Sequence, residues 1–155
     1  TEGVGFDADV AHARNLVSQA WRWVARRCST QLMQGKMNGD WIGTGKVRAR
    51  EHGDAVEIVI DGLTTQAKYY KPLVYEFMRK EWRGARPSWG DHVVEIRMEH
   101  VGEPPWMDLD NLAKALLDSI KGYLFHDDAQ VARLLVERHE GERERIVIRS
   151  YPRRP

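Results

Sequence analysis

The sequence predicts an α+β fold, a mixed β-sheet with helices packed on one side. Three observations carry this. The stretches AVEIVI (55–60) and HVVEIRMEH (92–100) suit strands, each alternating in character with a period of two. Other stretches place apolar residues three and four apart, as amphipathic helices require. The two kinds follow one another as helix, strands, helix, strand, helix, strands, an order that suits a mixed sheet.

Asp7 or Asp9 can cap a first helix running to about Arg27, with Val10, Ala13, Leu16, Val17, Ala20, Trp21 and Val24 as its apolar stripe. MQGKMNGD breaks that pattern. Trp41–Arg50 predicts a strand whose alternation is obscured by Gly43 and Gly45. EHGD reads as a turn into AVEIVI, giving a hairpin. A second helix starts near Pro72, since proline suits the first helical position. Its apolar side is Leu73, Val74, Phe77 and Met78. In 92–100, Val94, Ile96 and Met98 share one face, and Glu95, Arg97 and Glu99 the other. A third helix runs from about Leu109 to Lys121 and stops at Gly122. Leu109, Leu112, Leu116 and Ile120 lie on one face, Asp110, Lys114 and Asp118 on the opposite one. VARLLVER and ERIVIRS read as two strands joined by a turn around Gly141.

Composition narrows the class. The chain has 155 residues, 42% hydrophobic and 30% charged, enough for one domain with an added arm. It has no apolar run of about 18 residues, so no membrane span is expected, and no secretory signal is visible. Cys28 is the single cysteine. It excludes an intrachain disulfide and a cysteine-cluster zinc site, and reads as a small buried filler. A cytoplasmic location fits. Net charge is only +1, but Lys68, Lys71, Arg79, Lys80, Arg83 and Arg86 stand against Glu76 and Glu81, making that stretch +4. Such a face either holds phosphates or is an ordinary solvated helix side.

The sharpest chemistry lies in MDLDNLAKALLDSIKGYLFHDDAQ (107–130). Asp108 and Asp110 enter the third helix, and Asp127 and Asp128 follow it. Aspartates at a helix start are ordinary caps, and one cap explains one residue, not two. Carboxylates so grouped can also hold Mg²⁺, which takes a few of them and fills its other positions with water and phosphate. A helix of roughly 12 residues is about 18 Å long. The later pair therefore meets the earlier one only if the chain folds back, or if a second copy supplies it. Lys114 either pairs with Asp110 and Asp118 on the helix surface or stabilises negative charge during phosphodiester cleavage. The pattern lacks the third acidic ligand and glycine of an EF-hand. The short DLD also occurs in metal-dependent sugar transferases, but no nucleotide-binding loop accompanies it. His126, Trp89 and Trp106 sit in loops. Incidental placement or rim packing accounts for them, as does contact with substrate, the tryptophans by stacking on unpaired bases.

Taken together, DLDNLAKALLDSIKGYLFHDDAQV closely resembles the signature of the RusA family of Holliday junction resolvases, commonly encoded by phages and prophages. That signature reads Asp-x-Asp-Asn-Leu-x-Lys, then Asp-Ala-Leu, then Asp-Asp-x-Gln. Asp108, Asp110, Asn111, Leu112, Lys114, Asp118, Asp127, Asp128 and Gln130 match it. A weaker resemblance extends from about Ala55 to Tyr151. It implies a RusA-like nuclease domain over 55–155, preceded by a helix-and-hairpin extension over 1–54. It also implies a homodimeric, Mg²⁺-dependent (alternatively Mn²⁺-dependent) endonuclease that nicks branched DNA in recombination and repair. The implied catalytic residues are Asp108, Asp110, Asp128 and Lys114, with Asp127 as a further metal ligand. Lys68, Lys71, Arg79, Lys80 and Arg83 are the expected DNA-binding residues. Two stretches depart from the family: DGLTTQAKYYKP replaces a proline-rich, asparagine-containing segment, and Met107 stands where a basic residue often precedes the first aspartate. The rival expectation is a module of the same fold that binds or assembles on branched DNA without cutting it.

Overall fold

The computed structural model describes residues 39–155. The helix expected up to Arg27, and Cys28, lie outside them. The elements are β1 (Val47–His52), β2 (Ala55–Asp61), α1 (Tyr70–Lys80), β3 (His92–His100), α2 (Leu109–Ile120), β4 (Val131–Glu140) and β5 (Arg145–Pro152). The strands form one sheet in the order β1-β2-β5-β3-β4. All neighbours are antiparallel except β3 and β4, which are parallel. This is the expected mixed sheet. The sheet and both helices belong to one compact unit, and the division expected after residue 54 runs through its β1–β2 hairpin.

Helices and sheet share one core. The inward side chains Val56, Ile58, Ile60, Val94, Ile96, Met98, Ile146 and Ile148 pack with Tyr70, Val74, Phe77 and Met78 of α1 and with Leu112, Leu116 and Ile120 of α2. Pro72 is tolerated because it lies in the first turn of α1, where a backbone N–H has no intrahelical acceptor. The other sheet face is charged yet largely covered by its own partners. The Tyr151 hydroxyl donates to buried Glu95 at 3.0 Å, Arg145 bonds Glu99, and Arg97 bonds Glu137 at 3.2 Å. That is the predicted split of 92–100 into an apolar and an ionic face.

One expectation is corrected. Trp41–Arg50 is not one strand, since regular pairing begins only at Val47. Gly43, at φ +96°, turns the chain so that Ile42 bonds back to Ala49. A Cβ at Gly43 would lie 2.7 Å from both the Phe77 ring and the Val47 carbonyl, so only glycine fits. The two last strands are joined through Gly141, but they are not neighbours. α2 returns the chain parallel to β3, a connection long enough for a parallel crossover. β4 therefore takes one side of β3, and β5 pairs with the other.

Candidate active site

The β3–α2–β4 crossover positions the acidic residues. Buried Met107 anchors the chain in the core as it enters α2. Met107, where the resemblance leads one to expect a basic residue, is thus a packing residue. Asp108 follows in extended conformation at the N-cap, and its backbone carbonyl accepts from Leu112 N–H at 3.1 Å. Its carboxylate makes no cap bond and instead accepts from Asn111 Nδ2 at 3.3 Å. Asp108 thus holds the capping position without using its side chain as a cap. Asp110 is exposed in the first turn of α2.

Gly122, at φ +82°, ends α2 and reverses the chain toward β4. Asp127 and Asp128 then enter a short 3-10 turn, Asp128–Gln130. Here Asp127 is a true cap. Its Oδ1 accepts from Ala129 N–H at 2.9 Å, and the Gln130 side chain returns to the Asp127 N–H, completing a capping box. The Ala129 N–H and the nearby Lys121 ammonium hold the Asp127 carboxyl below its ordinary value. Lys121 Nζ lies 3.5 Å from Asp127 and 3.8 Å from Asp128.

The fold-back brings part of both clusters to one groove. A cavity of about 430 Å³ between α2 and β4 is lined by Asp110, Lys114, Asp118 and Asp128, with Leu109, Ala113, Leu117, Leu134 and Val136 as its apolar wall. Asp108 and Asp127 are not among its lining residues. The surface pairing expected for Lys114 is not formed. Asp118 bonds Lys71 Nζ of α1 at 3.2 Å instead, so among the described residues Lys114 is an exposed ammonium without an ion pair. Such an ammonium can donate to a phosphate once a cation offsets the neighbouring carboxylates.

The donors suit a hard divalent cation. Asp110 and Asp128 face the same groove, and Asp128 Oδ1 is buried without a hydrogen-bond partner. Magnesium is commonly held by one or two carboxylates together with substrate phosphates. Among the described residues, no three Asp, Glu, His or Cys side chains stand close enough to hold one ion. Asp110 and Asp118, eight residues apart, are separated by about 12 Å of helix rise.

The basic stretch is exposed at Lys68, Lys71, Arg79, Lys80 and Arg83, but part of its charge is balanced locally. Glu76 takes Lys80 at 2.8 Å and Arg79 at 3.2 Å, and these bonds, that from Lys80 foremost, pull its carboxyl down to about 2. Arg83 Nη1 donates to the Trp82 carbonyl at 2.9 Å. Lys71, through Asp118, joins this side of α1 to the groove.

Sequence reasoning missed the role of Gln130. Its Oε1 accepts from His126 N–H (2.8 Å) and Asp127 N–H (2.9 Å), while its Nε2 donates to the carbonyls of Ser88 and Gly90, both at 2.9 Å. One side chain thus ties the Asp127–Asp128 turn to the 88–90 loop. The spacing in DDAQ, a capping acid followed three residues later by glutamine, is the signal that could have found it.

A search of curated proteins finds no match. The family model for endodeoxyribonuclease RusA matches residues 63–150, more than half of the chain and the whole run from α1 through the groove to β5. The chain belongs to the RusA endodeoxyribonuclease family of Holliday junction resolvases.

Proposed function

We propose that this protein is a metal-dependent, structure-selective DNA endonuclease that resolves four-way junctions by paired nicks. The observation that carries this is the groove where Asp110, Asp128 and the Lys114 ammonium, without an ion pair among the described residues, face one another. Asp110 and Asp128 would hold Mg²⁺ or Mn²⁺, and Asp108 and Asp127, which lie outside the groove lining, would have to turn in toward the ion as it binds. The ion would offset charge on the phosphodiester undergoing hydrolysis. Lys114 donates a charge-assisted hydrogen bond to the phosphoryl or leaving oxygen, where negative charge grows as the bond breaks. Gln130 keeps Asp128 at the groove. The apolar wall limits the number of waters competing for the phosphate, which strengthens each electrostatic contact.

Lys68, Lys71, Arg79, Lys80 and Arg83 bind the phosphate backbone. The acting species is a homodimer, because two symmetric cuts need two sites related by a twofold axis. β4, an edge strand among the described residues with exposed Leu134, supports this, since such edges are open to pairing with a second chain. The protein works in the cytoplasm, in DNA recombination and repair.

A second reading has one observation in its favour. No three carboxylates converge within the described residues, as expected of a module that binds branched DNA without cutting it. A synthetic four-way junction and a linear duplex of the same sequence, each incubated with protein and Mg²⁺, separate the two. The endonuclease nicks the junction in two opposed strands and spares the duplex. A protein that binds the junction and leaves it intact is the non-cutting module.

A further inference from the structure

Trp89 is 78% exposed, yet it is held firmly. Its indole lies on the His126 imidazole with ring centroids 3.9 Å apart and planes within 17°. Both rings are fixed by the same bracket. Gln130 bonds the carbonyls on either side of Trp89, those of Ser88 and Gly90, and also the His126 N–H. Ser88 pairs with Phe125 in an isolated parallel bridge, and its hydroxyl meets His92 Nε2 at 3.1 Å. One indole face is therefore covered while most of the side chain stays in solvent. His126 is two residues from Asp128, which lines the groove.

A rigid, solvent-facing aromatic plane is a binding feature that core packing does not explain. A peptide-docking patch would be a contiguous apolar area. Here the chain neighbours Gly90 and Asp91, and Asp127 and Ala129 near His126, are small or acidic and exposed. The flat ligand that suits a single backed ring is a nucleobase, whose π-face stacks irrespective of sequence. Paired bases inside a duplex hide their faces, whereas a branch point can expose them. Building on the endonuclease reading, we infer that Trp89, backed by His126, is a stacking platform for an unpaired base at the branch, and so contributes to junction selectivity.

The test uses the whole chain and a four-way junction carrying 2-aminopurine at the branch point, with EDTA present so that no strand is cut. Junction binding by the parental protein should quench 2-aminopurine as the base stacks. Trp89→Phe should retain most of the quench. Trp89→Leu should lose it and bind the junction roughly tenfold more weakly, with duplex affinity changed less than about twofold. His126→Gln, which removes the backing ring, should show a smaller loss. Thermal unfolding of each variant controls for folding. A parental protein that cuts junctions without quenching the branch-point base overturns the platform, whatever the variants do. So does a folded Trp89→Leu protein with parental quench and affinity. A parental protein with no preference for junction over duplex overturns the endonuclease reading and the platform with it.

Discussion

Replacing Gln130 with methionine keeps the length of the side chain and removes all four of its hydrogen bonds. Two of these, from His126 N–H and to the Ser88 carbonyl, are partly buried. The other two, with Asp127 and Gly90, are exposed, and water can replace them. A neutral bond nets about 1 kcal/mol, and the exposed pair is largely recovered, so the loss comes to about 2 kcal/mol. A domain of this size has roughly 5–15 kcal/mol to lose, so the variant should fold. Urea unfolding should show a lower midpoint at unchanged slope. Cleavage should fall by more than junction affinity, because the bracket positions Asp128. Gln130→Glu should do no better, since it retains the acceptors but sets a carboxylate oxygen against the Ser88 and Gly90 carbonyls. A Gln130→Met protein within about 0.5 kcal/mol of the parent and cutting at the parental rate would show that the bracket holds nothing that matters.

Three further outcomes are expected. Lys114→Ala should slow junction cleavage on the order of a hundredfold, as loss of one transition-state donor does, with a much smaller change in affinity; single-turnover rates and equilibrium binding measure the two. Glu76→Gln should strengthen DNA binding severalfold at low salt, because Arg79 and Lys80 lose the carboxylate they share, and the gain should shrink as salt rises; equal affinity across a salt series would mark that helix side as merely solvated. Burial, then the charges of Arg50 and Arg149, lower the His52 pKa from 6.5, against a smaller opposing pull from Glu57. The unfolded chain then binds the proton more readily, so the stability contributed by neutral His52 is complete above pH 6.5 and declines as pH falls below it. An NMR titration of the His52 ring should give a midpoint below 6.5, and His52→Gln should flatten the stability profile there.

Local features were legible in the sequence where one chain segment determines them. The alternation in 92–100 marked both faces of β3, and Leu112, Leu116 and Ile120 marked the buried side of α2. Gly122 marked the end of that helix. What depends on distant partners was not legible. Nothing local to VARLLVER says that it pairs parallel to β3, because that follows from the α2 crossover. Among the described residues Lys114 has no ion pair, and one of its expected partners, Asp118, is taken by Lys71, on another helix and 47 residues away in sequence. The fold-back that brings Asp128 to the groove of Asp110 was one of two open alternatives, and only packing of α2 against β4 decides it. The opposite roles of Asp108 and Asp127, one an N-cap residue with no side-chain cap and the other a true cap, follow from backbone geometry that the same letter cannot reveal.

Asp108, Asp110 and Asp128 are proposed as ligands and not as helix caps. Asparagine has nearly the shape of aspartate and is itself a good cap, but it brings no negative charge to a cation. Each single Asn variant should fold like the parent and bind a four-way junction at least as tightly, since a carboxylate near the phosphates is gone. Cleavage at saturating junction and Mg²⁺ should nearly vanish in all three. The measurement is the single-turnover junction-cleavage rate of each variant, read beside its junction affinity and thermal unfolding. Three folded, junction-binding variants that cut at the parental rate would contradict the account.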